Sequence, residues 1–343
     1  MRRKFLWNLS DGVFFLFVFS VNIYAQVELV PTSHKAYRFF NSLFLRNIIT
    51  NYNSSNLPLS RSAVVDYLKK LDSANPNLSE TERKIIDDLK VEFDYDLNKR
   101  LNKSLSLLSD FEFENIFNDD RYKYLYAYAD SNASFFLDGT AFVSHRIFES
   151  ESFNKTSITL GEYGFRLRGT LYQNIWFYLR ASSGQQINGD NYSRIVTAQF
   201  DPKLRSTLKF LSEKYFESFE GYLRFESSNR AFSLTMGREA ITLGYGYIDK
   251  LLLSTNAAPF DYAKIDLAYK GVKYSFFYGN LRGDSLGVVL ESKNIIAHRL
   301  DVSLSDKIRL GVFESVITAN RPISFTYLNP VSFLFSADLT AEK

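Results

Sequence analysis

The run Gly164-Phe165-Arg166-Leu167-Arg168-Gly169-Thr170-Leu171 decides how the chain is to be read. Phe165, Leu167 and Leu171 fall on one parity; Arg166, Arg168 and Thr170 fall on the other. A period of two belongs to a β-strand, whose successive side chains point to opposite faces. The same alternation recurs downstream. Leu223 and Phe225 alternate with Tyr222, Arg224 and Glu226; Ile265, Leu267 and Tyr269 alternate with Lys264, Asp266 and Lys270. Leu300, Val302 and Leu304 alternate with Arg299, Asp301 and Ser303, and Ile308, Leu310 and Val312 with Lys307, Arg309 and Gly311. A strand with one apolar and one charged face must place the two in different media. In a membrane barrel those media are lipid and a wet lumen; in a large soluble β-domain they are a core and water. The segments run roughly 9–14 residues, which suits a tilted membrane strand of about 9–11 residues better than a soluble strand of about 5–6.

Outward from this region the evidence for the membrane reading grows. The chain has 32 Phe and 22 Tyr against 2 Trp, an aromatic load that a barrel can spend on lipid-facing bands and interfacial girdles. Its N-terminus carries the basic run Arg2-Arg3-Lys4, the apolar run Val13–Phe19 and a small residue in Tyr24-Ala25 before Gln26. That order predicts a secretory signal peptide over residues 1–25. The apolar run is shorter than the ~20 residues of a spanning helix. The net charge is +3, of which residues 1–25 carry +2, so no clustered basic surface suggests a nucleic-acid partner. Cysteine is absent, which excludes disulfides and thiolate metal sites.

Residues 26–110 have a different period. Ser33 is placed to cap a helix carrying Tyr37, Phe40, Phe44 and Ile48; Ser60 starts a second with Val64, Leu68 and Leu71. Ser79 and Glu82 form a capping box for a third, with Ile85, Ile86, Leu89 and Phe93, extending toward Leu97 and Leu101. The expected organisation is therefore a signal peptide (1–25), a helical bundle (26–110), a connector (111–130) and antiparallel barrel strands from 131 to 343, about eight to eleven of them before residue 320. The chain ends on the polar Thr340-Ala341-Glu342-Lys343. Because an open sheet edge cannot face hydrocarbon, the reading is of an incomplete, C-terminally truncated barrel.

Several stretches resemble the Wzi-type capsule assembly proteins of the outer membrane. They are Val30-Pro31-Thr32-Ser33-His34-Lys35-Ala36-Tyr37-Arg38-Phe39-Phe40, Leu57-Pro58-Leu59-Ser60-Arg61-Ser62 and Leu78-Ser79-Glu80-Thr81-Glu82 in the helical region. In the strand region they are Met236-Gly237-Arg238-Glu239, Gly244-Tyr245-Gly246, the run from Leu251 to Asp261, Ala297-His298-Arg299-Leu300 and Tyr327-Leu328-Asn329-Pro330-Val331. The resemblance spans about residues 28–336. It departs from the family at Leu243, where members often carry Trp before the glycine. It implies a non-enzymatic, lectin-like protein that binds capsular or exopolysaccharide in the outer membrane, with the bundle at the periplasmic mouth. An outer-membrane channel is the alternative.

The residues themselves point to no catalytic constellation. The histidines are His34, His145 and His298. Ser144 and Ser303 lie near two of them, but strand neighbours face opposite sides. No Gly-rich phosphate loop precedes a helix, and no cofactor or metal is expected. The candidate polysaccharide or lumen contacts are Arg166, Arg168, Tyr192, Arg224, Arg238 and Arg299. Guanidinium groups pair with carboxylates through two coplanar donors, and Tyr192 ends the polar stretch Ser182–Asn191, read as a long surface loop. The other ionisable residues of these strands are expected mainly to neutralise one another. Gly237, Gly244, Gly246 and Asn256–Pro259 are expected to shape a turn, kink or inward-folded loop.

Overall fold

In the computed structural model the described residues are 28–331 and Leu334, apart from 110–119, 152, 173, 206, 247–248, 255–256, 287–288, 306–307 and 321–324. The segment expected to be a signal peptide and the chain end lie outside them.

The helical region contains α1 (Lys35–Leu45), α2 (Arg61–Ala74), α3 (Glu80–Glu92) and the short α4 (Asp94–Asn98), with β1 (Asn56–Leu57) between α1 and α2. Their apolar stripes meet in one core that includes Phe40, Leu43, Val64, Leu68, Leu89 and Phe93. Burying each such side chain contributes roughly 1.5–3 kcal/mol. Ser60 caps α2 and the Ser79–Glu82 box caps α3, as their positions predict. The cap of α1 is His34 and not Ser33: its Nδ1 accepts from the Ala36 amide at 3.2 Å. The third helix does not run on to Leu101. It stops at Phe93, and α4 ends with Lys99 in the left-handed region.

The main body is mainly β. Ten strands form one antiparallel sheet in the order β14-β13-β12-β11-β9-β8-β7-β6-β5-β4. They are β4 (Tyr126–Ala129), β5 (Ala133–Ser150), β6 (Phe153–Leu171), β7 (Ile175–Asn188), β8 (Tyr215–Glu226), β9 (Phe232–Glu239), β11 (Phe260–Tyr269), β12 (Val272–Leu286), β13 (Val289–Ser303) and β14 (Arg309–Ala319). The stretch expected to be a connector thus already holds β4, and before it β3 (Tyr122–Tyr124), which pairs in parallel with β2 (Ser104–Ser106). Among the described residues closure between β4 and β14 is not found; they are the two ends of the sheet. Several strands exceed the expected length, β6 reaching 19 residues.

The two ends of the strands differ. At one end the connections are tight turns: Asp130–Asn132 before β5, Ser227–Ala231 before β9, and Lys270-Gly271 before β12. At the other end the chain between β7 and β8 forms α5 (Asn191–Phe200), α6 (Pro202–Arg205) and α7 (Leu208–Glu213). The chain between β9 and β11 also leaves the sheet at this end. It folds over one face, where β10 (Thr242–Leu243) pairs with β1. Gly244 makes that fold possible. Its φ of +114° suits glycine, and an added Cβ would meet the Leu251 amide nitrogen at 2.7 Å.

One face of the sheet is covered by residues 28–98 and by α5–α7. The other is largely open and apolar. Leu223 is 61% exposed, and Phe165, Leu179, Met236, Leu267 and Val312 are exposed beside it. Over β12 and β13 this face is instead covered by Tyr327 and Leu334, which pack on Phe276 and Ile296. The alternation seen in the sequence is therefore real: Leu223 faces out, while Arg224 and Glu226 face the covered side.

Candidate functional site

The covered face gathers most of the charged residues singled out in the sequence, and it gathers them as buried pairs. Arg168 donates to Glu28 at 2.9 Å and to the Tyr124 hydroxyl at 2.6 Å, with its guanidinium 4.3 Å from the Phe136 ring centre. Arg166 pairs with Asp138 at 2.8 Å and bonds the Tyr122 hydroxyl. Arg224 holds Glu226 at 2.6 Å and Thr235 at 2.7 Å. Arg299 engages both carboxylate oxygens of Asp301 and lies 5.2 Å from the Tyr245 ring centre on the inward-folded segment. These groups are not bathed by a wide wet lumen; Arg168 and Arg299 are each 2% exposed. Charges at such depth persist only when paired, since desolvation costs several kcal/mol per ion.

Two of the six candidate residues lie elsewhere. Arg238 is on the open face, paired with Asp261 at 2.9 Å. Its neighbour Glu239 turns inward and accepts from the Tyr262 hydroxyl at 3.3 Å. Tyr192 is not in a long loop. Ser182–Asn188 continue β7, and Tyr192 stands in the first turn of α5, a helix capped by Asp190 and Ser193. A polar run followed by a capping box carried that signal; it was readable as a helix start.

What the sequence did not reveal is the partner set from the helical region. Arg61 of α2 is buried and bonds Asp96 through Nε at 2.9 Å and Nη2 at 2.7 Å. Asn56 donates to Ser275 and accepts from Lys264 at 2.9 Å. Tyr222 accepts from the Leu29 amide at 2.7 Å and stacks on Tyr178. Arg309 donates to the Tyr52 carbonyl at 2.7 Å. Arg61 and Asp96 are 35 positions apart within the helical region, but the contacts from Glu28, Leu29, Tyr52 and Asn56 to the sheet join residues 140–257 positions apart, a separation that no local pattern announces. Away from the sheet, burial works to raise the Glu92 carboxyl, but the hydrogen bond from His34 and the charges of His34, Arg61 and Arg166 outweigh it and bring its pKa to about 2.

Between the N-terminal region and strands β8, β9, β11 and β12 lies a cavity of about 320 Å³, next to the tight-turn end. At the opposite end α6 closes over the covered face. Asp201 pairs with Arg146 at 2.7 Å, and Lys203 pairs with Glu162.

The serine–histidine neighbours do not converge. Ser144 lies on the covered-side parity of β5, and His145 on the other, where it bonds Thr159 at 2.9 Å. His298 sits on the open-face side of β13, bonded to the Tyr274 hydroxyl at 2.5 Å beneath the Pro330 segment. Among the described residues no cluster of three or more metal-ligating side chains occurs. Comparisons with protein-family models, curated proteins and solved structures found no match to the chain.

Proposed function

We propose that this chain is an outer-membrane β-barrel protein that binds exopolysaccharide and attaches the capsule to the cell surface. The observation that carries the membrane part is the two-sidedness of the sheet. An antiparallel meander of long strands exposes a broad apolar face while its charged face is filled by the protein's own N-terminal region. A broad apolar surface of this kind needs a partner, and lipid is the one that strands of this length fit. A sheet in lipid must also pair its edges, so the proposal requires β4 and β14 to be closed, with each other or with further strands.

The tight turns and the helical bundle share one end of the sheet; Arg230 in the β8–β9 turn pairs with Asp66 of α2 at 3.0 Å. Outer-membrane barrels have short periplasmic turns and longer outer connections, so the bundle end is assigned to the periplasm and the α5–α7 connection to the outside. Attachment is preferred to conductance because the covered face is occupied from both ends. The family resemblance supplies the polysaccharide.

The test is deletion of the gene, with cell-bound and released polysaccharide weighed separately and total synthesis as control. A fall in the bound fraction at constant total supports attachment. An unchanged bound fraction overturns it and leaves the channel reading, which single-protein conductance in a planar bilayer then examines.

A further inference from the structure

The cavity beside the tight-turn end has a composition that its own residues do not balance. Its walls come from β8 (Arg224, Glu226), β11 (Lys264, Asp266) and β12 (Lys273), with Ala63 and Ser60 at the start of α2 opposite. Asp266 serves two cations at once: Lys264 at 3.3 Å and Lys273 at 3.5 Å. Glu226 is already engaged by Arg224. Arg230, also in the wall, is held by Asp66 outside it. The wall thus has one more ammonium group than it has carboxylates to receive it.

The hydrogen bonding of the wall agrees with its charge. Arg224 is 8% exposed, and its Nε has no hydrogen-bond partner among the described residues. The first turn of α2, a helix of 14 residues, borders the same space, and a helix start favours negative charge. A buried donor left without an acceptor is costly, and with the surplus cation it makes this wall suited to a guest that brings acceptor oxygens and a negative charge. Leu29, Pro58 and Ile241 supply apolar wall between the charged groups. The volume stands at the lower end of the range for small-molecule sites, roughly 300–1,000 Å³. It suits one ring and not an extended chain.

We propose that this cavity binds a single carboxylate-bearing sugar unit, a uronate, at the bundle end of the protein. Lys273 and Arg224 face the carboxylate, and the apolar wall faces the ring. The choice of a sugar rests on the polysaccharide reading above; the anionic character rests on the wall alone. The site differs from the outer connection α5–α7 and lies at the opposite end of the sheet.

The full chain, extracted in detergent, is titrated with D-glucuronate, D-glucose and inorganic phosphate. Calorimetry is the readout. The expected result is saturable glucuronate binding at least tenfold tighter than glucose or phosphate. Ala63→Trp, which fills the cavity from the helical side, should abolish it. Lys273→Met, at a half-buried side chain, should weaken it at least fivefold with folding unchanged by circular dichroism. Equal binding of phosphate, equal binding of glucose, no saturable response, or full affinity in Ala63→Trp each overturns the proposal. Cell-bound polysaccharide is measured in parallel in the Ala63→Trp and deletion strains. Retention that is lost only on deletion, together with absent glucuronate binding, sinks the cavity and spares attachment. Retention unaffected by deletion sinks attachment itself.

Discussion

The helical region and the sheet spend the same kinds of side chain in opposite directions. In α1–α3 the apolar residues turn inward, so that Phe40 and Leu68 are fully buried while Lys84 and Asp88 meet water. In the sheet Leu223, Met236 and Val312 turn outward, and Arg168, Arg224 and Arg299 are the buried groups. One region is organised around an oil-like centre. The other is organised around a charged centre closed by a separate part of the chain. The contrast teaches that burial and hydrophobicity are separate quantities here, and that the medium outside the sheet determines whether its outward residues are a liability.

The largest expected effect tests the helical side of this contrast. Phe40→Ala should lower unfolding stability by about 3–5 kcal/mol through lost transfer energy and a cavity. Phe219→Ala, on the open face at 60% exposure, should cost far less in detergent. Guanidinium melts followed by circular dichroism compare the two, and equal losses would erase the distinction.

Arg61→Ala probes the buried charges. It strands Asp96, whose side chain is 3% exposed, and breaking one partner of such a pair costs about 3–5 kcal/mol. The double variant Arg61→Met with Asp96→Leu should recover most of that loss, because it removes the charges together. A double variant as unstable as the single one would mean that the pair itself is not the cause.

Leu223→Lys distinguishes lipid from water on the open face. In a bilayer the lysine should cost about 2–4 kcal/mol if Leu223 lies near the midplane. In water, an exposed surface change should stay within about 0.5 kcal/mol. Refolding into vesicles reads the difference, and a neutral result there would argue that the apolar face does not meet lipid.

Glu92→Gln gives a smaller, pH-dependent effect. Its carboxyl is held at about 2, below the ordinary 4.5, so ionised Glu92 stabilises the fold. That contribution is complete above about pH 5 and disappears as pH falls toward 2. The wild type should exceed the variant by on the order of 2 kcal/mol at pH 7, with the gap closing through that window. A gap independent of pH would assign the effect to packing. Ser79→Ala should cost least, about 1 kcal/mol, by removing the capping bond to the Glu82 amide at 3.3 Å. Melting of helix signal checks it.

The legible parts share one property: they are written within a few residues of one another. The caps at Ser60 and Ser79 and the strand alternation around Arg166, Leu223, Leu267 and Leu300 depend on neighbours in the chain, and the structure bears them out. The inward-folded segment after Glu239 was also readable from its glycines. The failures have equally local causes. His34 displaced Ser33 because its ring bonds both the Ala36 amide and Glu92 of α3. Tyr192 was misplaced because β7 continues through a polar sequence that resembles a loop.

By itself, then, the sequence determined the period of each element, the parity of each face and the helix starts, since sterics and local hydrogen bonds set all three. Only the tertiary structure decided what the charged face meets. Pairing Arg168 with Glu28, Lys264 with Asn56 and Arg309 with the Tyr52 carbonyl requires the N-terminal region to be laid across the sheet. A charge calls for a countercharge by chemistry alone, but which distant residue answers is settled by the path of the chain.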